Sequence, residues 1–273
     1  MTRVYNKIQQ RYSYKSIITA CLSCVTPPLE CPNKNITFWL YTRANEHSPH
    51  QLLADDNNSI TEAPWVTDAP IKILIHGYTG HRDFSPNTEI RPAYMKCCDY
   101  NVISVDYNNI ALEPCYLESA RNTELVGKCT AQLIDNLIKI HGFKMQRFHV
   151  IGFSLGAQTA GYMANYLING RLSRITAKSG CDHARAPIYY AESIITDVGF
   201  YATKCFSWIT YMIGWCELIN SSDEILFGEY VSLEVTGFYF FPTNFESPFA
   251  KGLNHRNTRD LLSQEFNKYD NGI

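Results

Sequence analysis

The chain has 273 residues, of which 45% are apolar and 18% charged, and its formal net charge is −2. That length suits one large α/β domain, and the apolar share supplies a sizeable core rather than a disordered chain. No basic run interleaved with aromatics points to nucleic acid, and the histidines and cysteines show no metal-ligand spacing.

At the start, Arg3, Lys7, Arg11 and Lys15 precede a mildly apolar stretch from Ser16 to Leu22. This weakly signal-like pattern sets residues 1–30 apart as a leader. Asn35 to Tyr41 reads as a first strand, and Ile71 to Ile75 as a clearer one that ends at His76-Gly77-Tyr78. Asn87 to Cys98 reads as a helix and Tyr100 to Tyr107 as a third strand. Leu117 to Ile140 follows as a long amphipathic helix, with Val126, Leu133, Leu137 and Ile140 on one face and Gly142 as its stop.

Phe148-His149-Val150-Ile151 is the next apolar run, and Gly152-Phe153-Ser154-Leu155-Gly156 follows it directly. Small and apolar residues from Ala157 onward then read as a helix. Such β-α-β-α alternation predicts a mostly parallel sheet with helices on both faces, whose strands end at the active edge. Beyond Ala186 the pattern blurs. Pro187 to Ile195 reads as helical, Glu229 to Phe241 alternates like one or two strands, and residues 253–273 are a polar tail. The uncharged stretch Cys205 to Cys216 is too short to span a bilayer, so no transmembrane segment is expected.

Gly-x-Ser-x-Gly between a strand and a helix is the context of a nucleophile elbow. The glycines permit a tight turn and close helix packing, and the helix N-terminus beneath Ser154 favours a developing oxyanion. The plainer reading makes Ser154 a helix cap. An even count of ten cysteines, with sequons at Asn35, Asn57 and Asn220, favours an oxidising, secreted setting.

The ordered stretches Trp39 to Arg43, Lys72 to Tyr78, Tyr100 to Tyr107, Gly152 to Tyr162 and Cys181 to Ala186 resemble the pancreatic-lipase family of secreted α/β-hydrolases. Gly237 to Asn244 and Ser247 to Phe249 resemble the end of that family's catalytic domain, which gives a lipase domain over residues 31–252. The resemblance implies the α/β-hydrolase fold, with Ser154 as nucleophile and His183 as general base and acid. It places the oxyanion hole at the backbone N–H groups of Tyr78 and Leu155. For His183 the alternative is a loop histidine bonded to backbone; His76 reads as support for the oxyanion loop.

The chain departs from the family pattern after Thr176. Arg174-Ile175-Thr176 is followed at once by Ala177-Lys178-Ser179-Gly180-Cys181, where the family places a Gly-Leu-Asp-Pro stretch with the triad acid. By resemblance, several dozen residues are absent at the 176/177 junction, and the sheet is expected to be truncated at that side. Asp182, adjacent to His183, is poorly placed to grip it. Glu192 and Asp197 are the substitute acids to consider, and His255 with Asp197 is a lesser alternative pair.

The resemblance also implies that Cys31 meets Cys115, that Cys205 and Cys216 close a loop, and that Cys181 has lost its partner. Phe206, Trp208, Tyr211, Met212, Ile213 and Trp215 within that loop are expected to cover core, the alternative being contact with a lipid surface. The implied activity is hydrolysis of a lipid ester, a triacylglycerol or phospholipid acyl ester, without metal or organic cofactor and impaired by the absent acid. The alternative is a non-catalytic lipid-binding or storage protein on the same fold.

Overall fold

The computed structural model describes residues 24–178, 184–216 and 224–253. In chain order the strands of the main sheet are β1 (Thr37–Tyr41), β2 (His50–Leu52), β3 (Ile71–Ile75), β4 (Asn101–Asp106), β5 (Phe148–Phe153) and β6 (Arg174–Lys178). Their spatial order is β2-β1-β4-β3-β5-β6, with β4, β3, β5 and β6 parallel and β1 antiparallel to both its neighbours. The helices are α1 (Asn57–Thr61), α2 (Asn87–Cys97), α3 (Tyr116–His141), α4 (Leu155–Tyr166), α5 (Ala186–Ile195) and α6 (Trp208–Met212). This is the mostly parallel sheet that the alternating sequence pattern predicts.

Every residue of β3 is buried, which is why Ile-Lys-Ile-Leu-Ile runs apolar rather than alternating: helices cover both its faces. Ile71, Ile73 and Ile75 join Ile103, Val105, Phe148 and Val150 in one core with Val126, Leu133 and Leu137 of α3 and Ala160 and Met163 of α4. Leu74, Val102 and Ile151 point the other way, into a second core with Ile90 and Tyr94 of α2 and Tyr190 and Ile194 of α5. Gly142 ends α3 with a left-handed φ of 70°.

The segment before β1 is stapled along α3. Cys24 pairs with Cys115 and Cys31 with Cys129, which corrects the Cys31–Cys115 pairing expected by resemblance. The reason is one of length. Seven residues of extended chain reach about 23 Å, matching the roughly 21 Å that fourteen helical residues advance. Asn122 Nδ2 donating to Val25 O at 2.8 Å and Lys128 Nζ to Leu29 O at 2.9 Å hold the two in step. Cys97 and Cys98 also pair, and Cys205–Cys216 closes its loop as expected. Cys181 lies outside the described residues.

The part after β6 packs around a smaller cluster of Tyr189, Phe200 and Ala250. Its antiparallel sheet has the order β8-β7-β9, with β7 at Phe200–Lys204, β8 at Glu224–Phe227 and β9 at Tyr239–Phe240. The alternating run from Glu229 therefore yields only the short β9. On the other side of the central β7, β8 is formed by residues just before that run, from which Gly228 at φ 103° separates it.

The Cys205–Cys216 loop corrects another expectation. Phe206 is 89% exposed, and Trp208, Ile209, Met212, Ile213 and Trp215 are exposed as well, so the apolar stripe does not cover core. Ser207 and Thr210 form a capping box that starts α6. The single turn then stands clear of the sheet, touching it through Trp208 and Tyr211 against the ring of Phe240.

Candidate active site

Ser154 follows the end of β5 and immediately precedes α4, with φ 57° and ψ −121° and no side-chain hydrogen bond to the helix start. The capping alternative therefore fails. A non-glycine residue at such dihedrals costs roughly 1–3 kcal/mol and persists only where its surroundings hold it. Here β3 and α4 hold it. A Cβ at Gly156 would collide with the Ile75 and His76 carbonyls, and one at Gly77 would lie 2.6 Å from Ser154 Cβ and 3.2 Å from its Oγ. Only glycine lets the turn after β3 lie against the serine, which remains half-buried rather than enclosed.

That turn is fixed by β4 and the residues after it. His76 is fully buried and stacks on Tyr107, with centroids 4.1 Å apart. Its Nε2 accepts the Tyr107 N–H at 3.1 Å, which leaves Nδ1 to donate to Gly77 O at 2.8 Å. The Tyr107 hydroxyl donates to His76 O at 2.6 Å. Asn108 Nδ2 donates to Gly80 O at 2.8 Å and Thr79 N–H to Ala111 O at 3.0 Å. With both ring nitrogens engaged, His76 is a strut for the loop.

Leu155 N–H is the first amide of α4 and, like every first-turn amide, has no partner within the helix. Tyr78 follows the end of β3, its ring edge-on to Tyr116 at 5.2 Å. Both lie where the glycine contacts bring β3 and β5 together. His183, Asp182 and His255 lie outside the described residues.

Both substitute acids lie among the described residues. The Glu192 carboxylate accepts Phe249 N–H at 2.9 Å and Ala250 N–H at 2.7 Å, one on each oxygen, so it ties down the chain after β9. Asp197 is exposed beyond the far end of α5, whose ten residues span about 15 Å.

Sequence reasoning missed the most unusual ionisable group, Glu229. It is buried, with Oε1 2.6 Å from Lys72 Nζ and Oε2 accepting the Tyr94 hydroxyl at 2.6 Å and the Tyr190 hydroxyl. Burial alone would raise its pKa, but Lys72, by charge and hydrogen bond, together with His149 and Arg174 outweighs this and holds the carboxyl well below the usual range. Burial, then the Lys72 charge, holds His149 well below an ordinary histidine. The signal in the sequence was Lys72 itself, a lone charge inside an apolar strand.

A serine raised on a strand-to-helix corner, at the C-terminal edge of a mostly parallel sheet, is the arrangement of the α/β-hydrolases. Within that class the chain belongs to the lipase family, as a pancreatic-lipase relative: the pattern of the family described as Lipase matches residues 10–180. Over 161 residues the chain is 29% identical to a pancreatic triacylglycerol lipase of Cavia porcellus, covering 59% of this chain and 33% of that protein. It is 31% identical over 139 residues to the human inactive pancreatic lipase-related protein 1, covering 51% and 29%. It is 34% identical over 142 residues to lipase member H-A of Xenopus laevis, covering 50% and 29%. The matches thus span about a third of these relatives' own lengths.

Proposed function

We propose that the chain is a secreted, lipase-family carboxylic ester hydrolase acting on lipid esters, and that it turns over slowly because it lacks the triad acid. The carrying observation is Ser154, held at positive φ with its hydroxyl not used as a helix cap. In this reading Ser154 Oγ attacks the ester carbonyl and His183 takes its proton. The amides of Tyr78 and Leu155 receive the oxyanion. His183 then protonates the leaving alcohol, and water releases the acyl group by the same steps. No metal or organic cofactor takes part. Without an acid to orient the imidazole, the rate falls roughly 10⁴-fold, about 5.5 kcal/mol of transition-state stabilisation.

Residues 31–252 form the hydrolase domain in this account, with the family's missing block at the 176/177 junction. The position of β6 at the sheet's edge supports that placement. Disulfides among the described residues suit secretion, and the exposed Trp208 and Trp215 suit contact with a lipid surface. The human relative named as inactive, together with the absent acid, favours a second reading as a non-catalytic lipid binder. Hydrolysis of p-nitrophenyl butyrate separates the two. Slow turnover that vanishes in Ser154→Ala supports the enzyme, and turnover equal in both proteins refutes it.

A further inference from the structure

At the opposite end of the sheet from Ser154, the register aligns Lys72 of β3 with His149 of β5, and His149 with Arg174 of β6. The three side chains therefore rise in one row on the α2–α5 face. They line a cavity of about 670 Å³, within the usual range for small-molecule sites. Lys144 and Arg147, from the turn before β5, bring the cations along its wall to four.

Glu229 is the carboxylate on that wall among the described residues, and both its oxygens are already engaged by Lys72 and the two tyrosines. The wall thus keeps an excess of positive charge. Arg174 donates to Gly228 O at 2.9 Å, and Arg147 lies 3.8 Å from the exposed Asp68. The Arg147 guanidinium also donates to Ala69 O at 2.5 Å and lies over the Phe143 ring, 4.9 Å from its centroid. Beyond the polar Gln146 and Ser173, the remaining lining is apolar or aromatic, including Phe148, Tyr100, Tyr230 and Leu233.

We propose that this cavity binds a small amphiphilic anion, a carboxylate or phosphate head group on a short apolar chain, at a site separate from the serine. Ser154 lies five residues beyond His149, just past the end of β5, about 16 Å at ~3.3 Å per residue. The head group lies against Lys144, Arg147 and Arg174 and leaves its chain between Tyr100, Tyr230 and Leu233.

Isothermal titration of the whole chain with hexanoate, hexyl phosphate and hexanol tests this. At least one anion is expected to bind and hexanol is not, the tighter anion identifying carboxylate or phosphate as the preferred head. Lys144→Glu, at an exposed position that leaves the fold intact, and Arg147→Gln should each weaken the anion about tenfold or more. Neither anion binding at millimolar concentration, hexanol binding equally well, or Lys144→Glu binding like the parent would each overturn the proposal.

Discussion

Glu229→Gln is the substitution on which the electrostatics of this fold can be measured. It removes one charge, keeps the side chain's size, and leaves an amide oxygen to accept from Tyr94 and Tyr190. Lys72 is then a buried ammonium without its counter-ion, 8% exposed and formerly 2.6 Å from the carboxylate. Breaking a buried pair by removing one partner costs about 3–5 kcal/mol, which for a domain this size lowers the midpoint by roughly 6–20 °C. Thermal and urea unfolding followed by circular dichroism give both numbers. The double variant Lys72→Met/Glu229→Gln should recover much of the loss, because no uncompensated charge remains. The wild-type pair also has a pH signature. Since the folded-state pKa of Glu229 is depressed, its contribution is complete above the unfolded value of about 4.3. It is lost as pH falls through the lower folded value. A Glu229→Gln cost below about 1 kcal/mol, or a double variant no better than the single, would refute this account of the core.

Gly77→Ala places a methyl 2.6 Å from Ser154 Cβ, so the Tyr78 amide must move. Ser154-dependent ester hydrolysis is expected to fall about 10²–10³-fold, read by p-nitrophenyl butyrate turnover. His149 is held neutral by burial and by Lys72, so below about pH 6.5 the unfolded chain takes up that proton first. Stability should drop as pH falls from there, and His149→Asn should flatten that part of the pH–stability curve. Ile175 is exposed on β6, which has no strand beyond it among the described residues. Ile175→Lys should therefore reduce light scattering at high concentration while shifting stability by less than about 1 kcal/mol.

The sheet was legible because its strands carry continuous β-branched runs and its long helix a clear face. Ile71–Ile75 and the α3 stripe left no competing period, and Gly142 sits where the helix had to stop. Ser154 was legible for the same local reason: two glycines, a strand and a helix define the corner by chain geometry alone. What failed to show were relations between distant segments. The Cys24–Cys115 and Cys31–Cys129 pairing depends on a connecting segment lying along α3, which no spacing reveals. Glu229 was hidden because its counter-ion lies 157 positions away, and an acid read from sequence ordinarily faces water. The Cys205–Cys216 stripe misled because aromatic residues usually mark a core, whereas a disulfide-closed single turn has too little of its own fold to bury them.

The central claim is that Ser154 is a reactive nucleophile despite the absent acid. Incubating the folded protein with a fluorophosphonate and mapping the adduct by peptide mass spectrometry tests it most directly. The account predicts slow phosphonylation at Ser154, absent from Ser154→Ala and slowed by Gly77→Ala. Labelling at another residue, or none on protein shown to be folded, would contradict it.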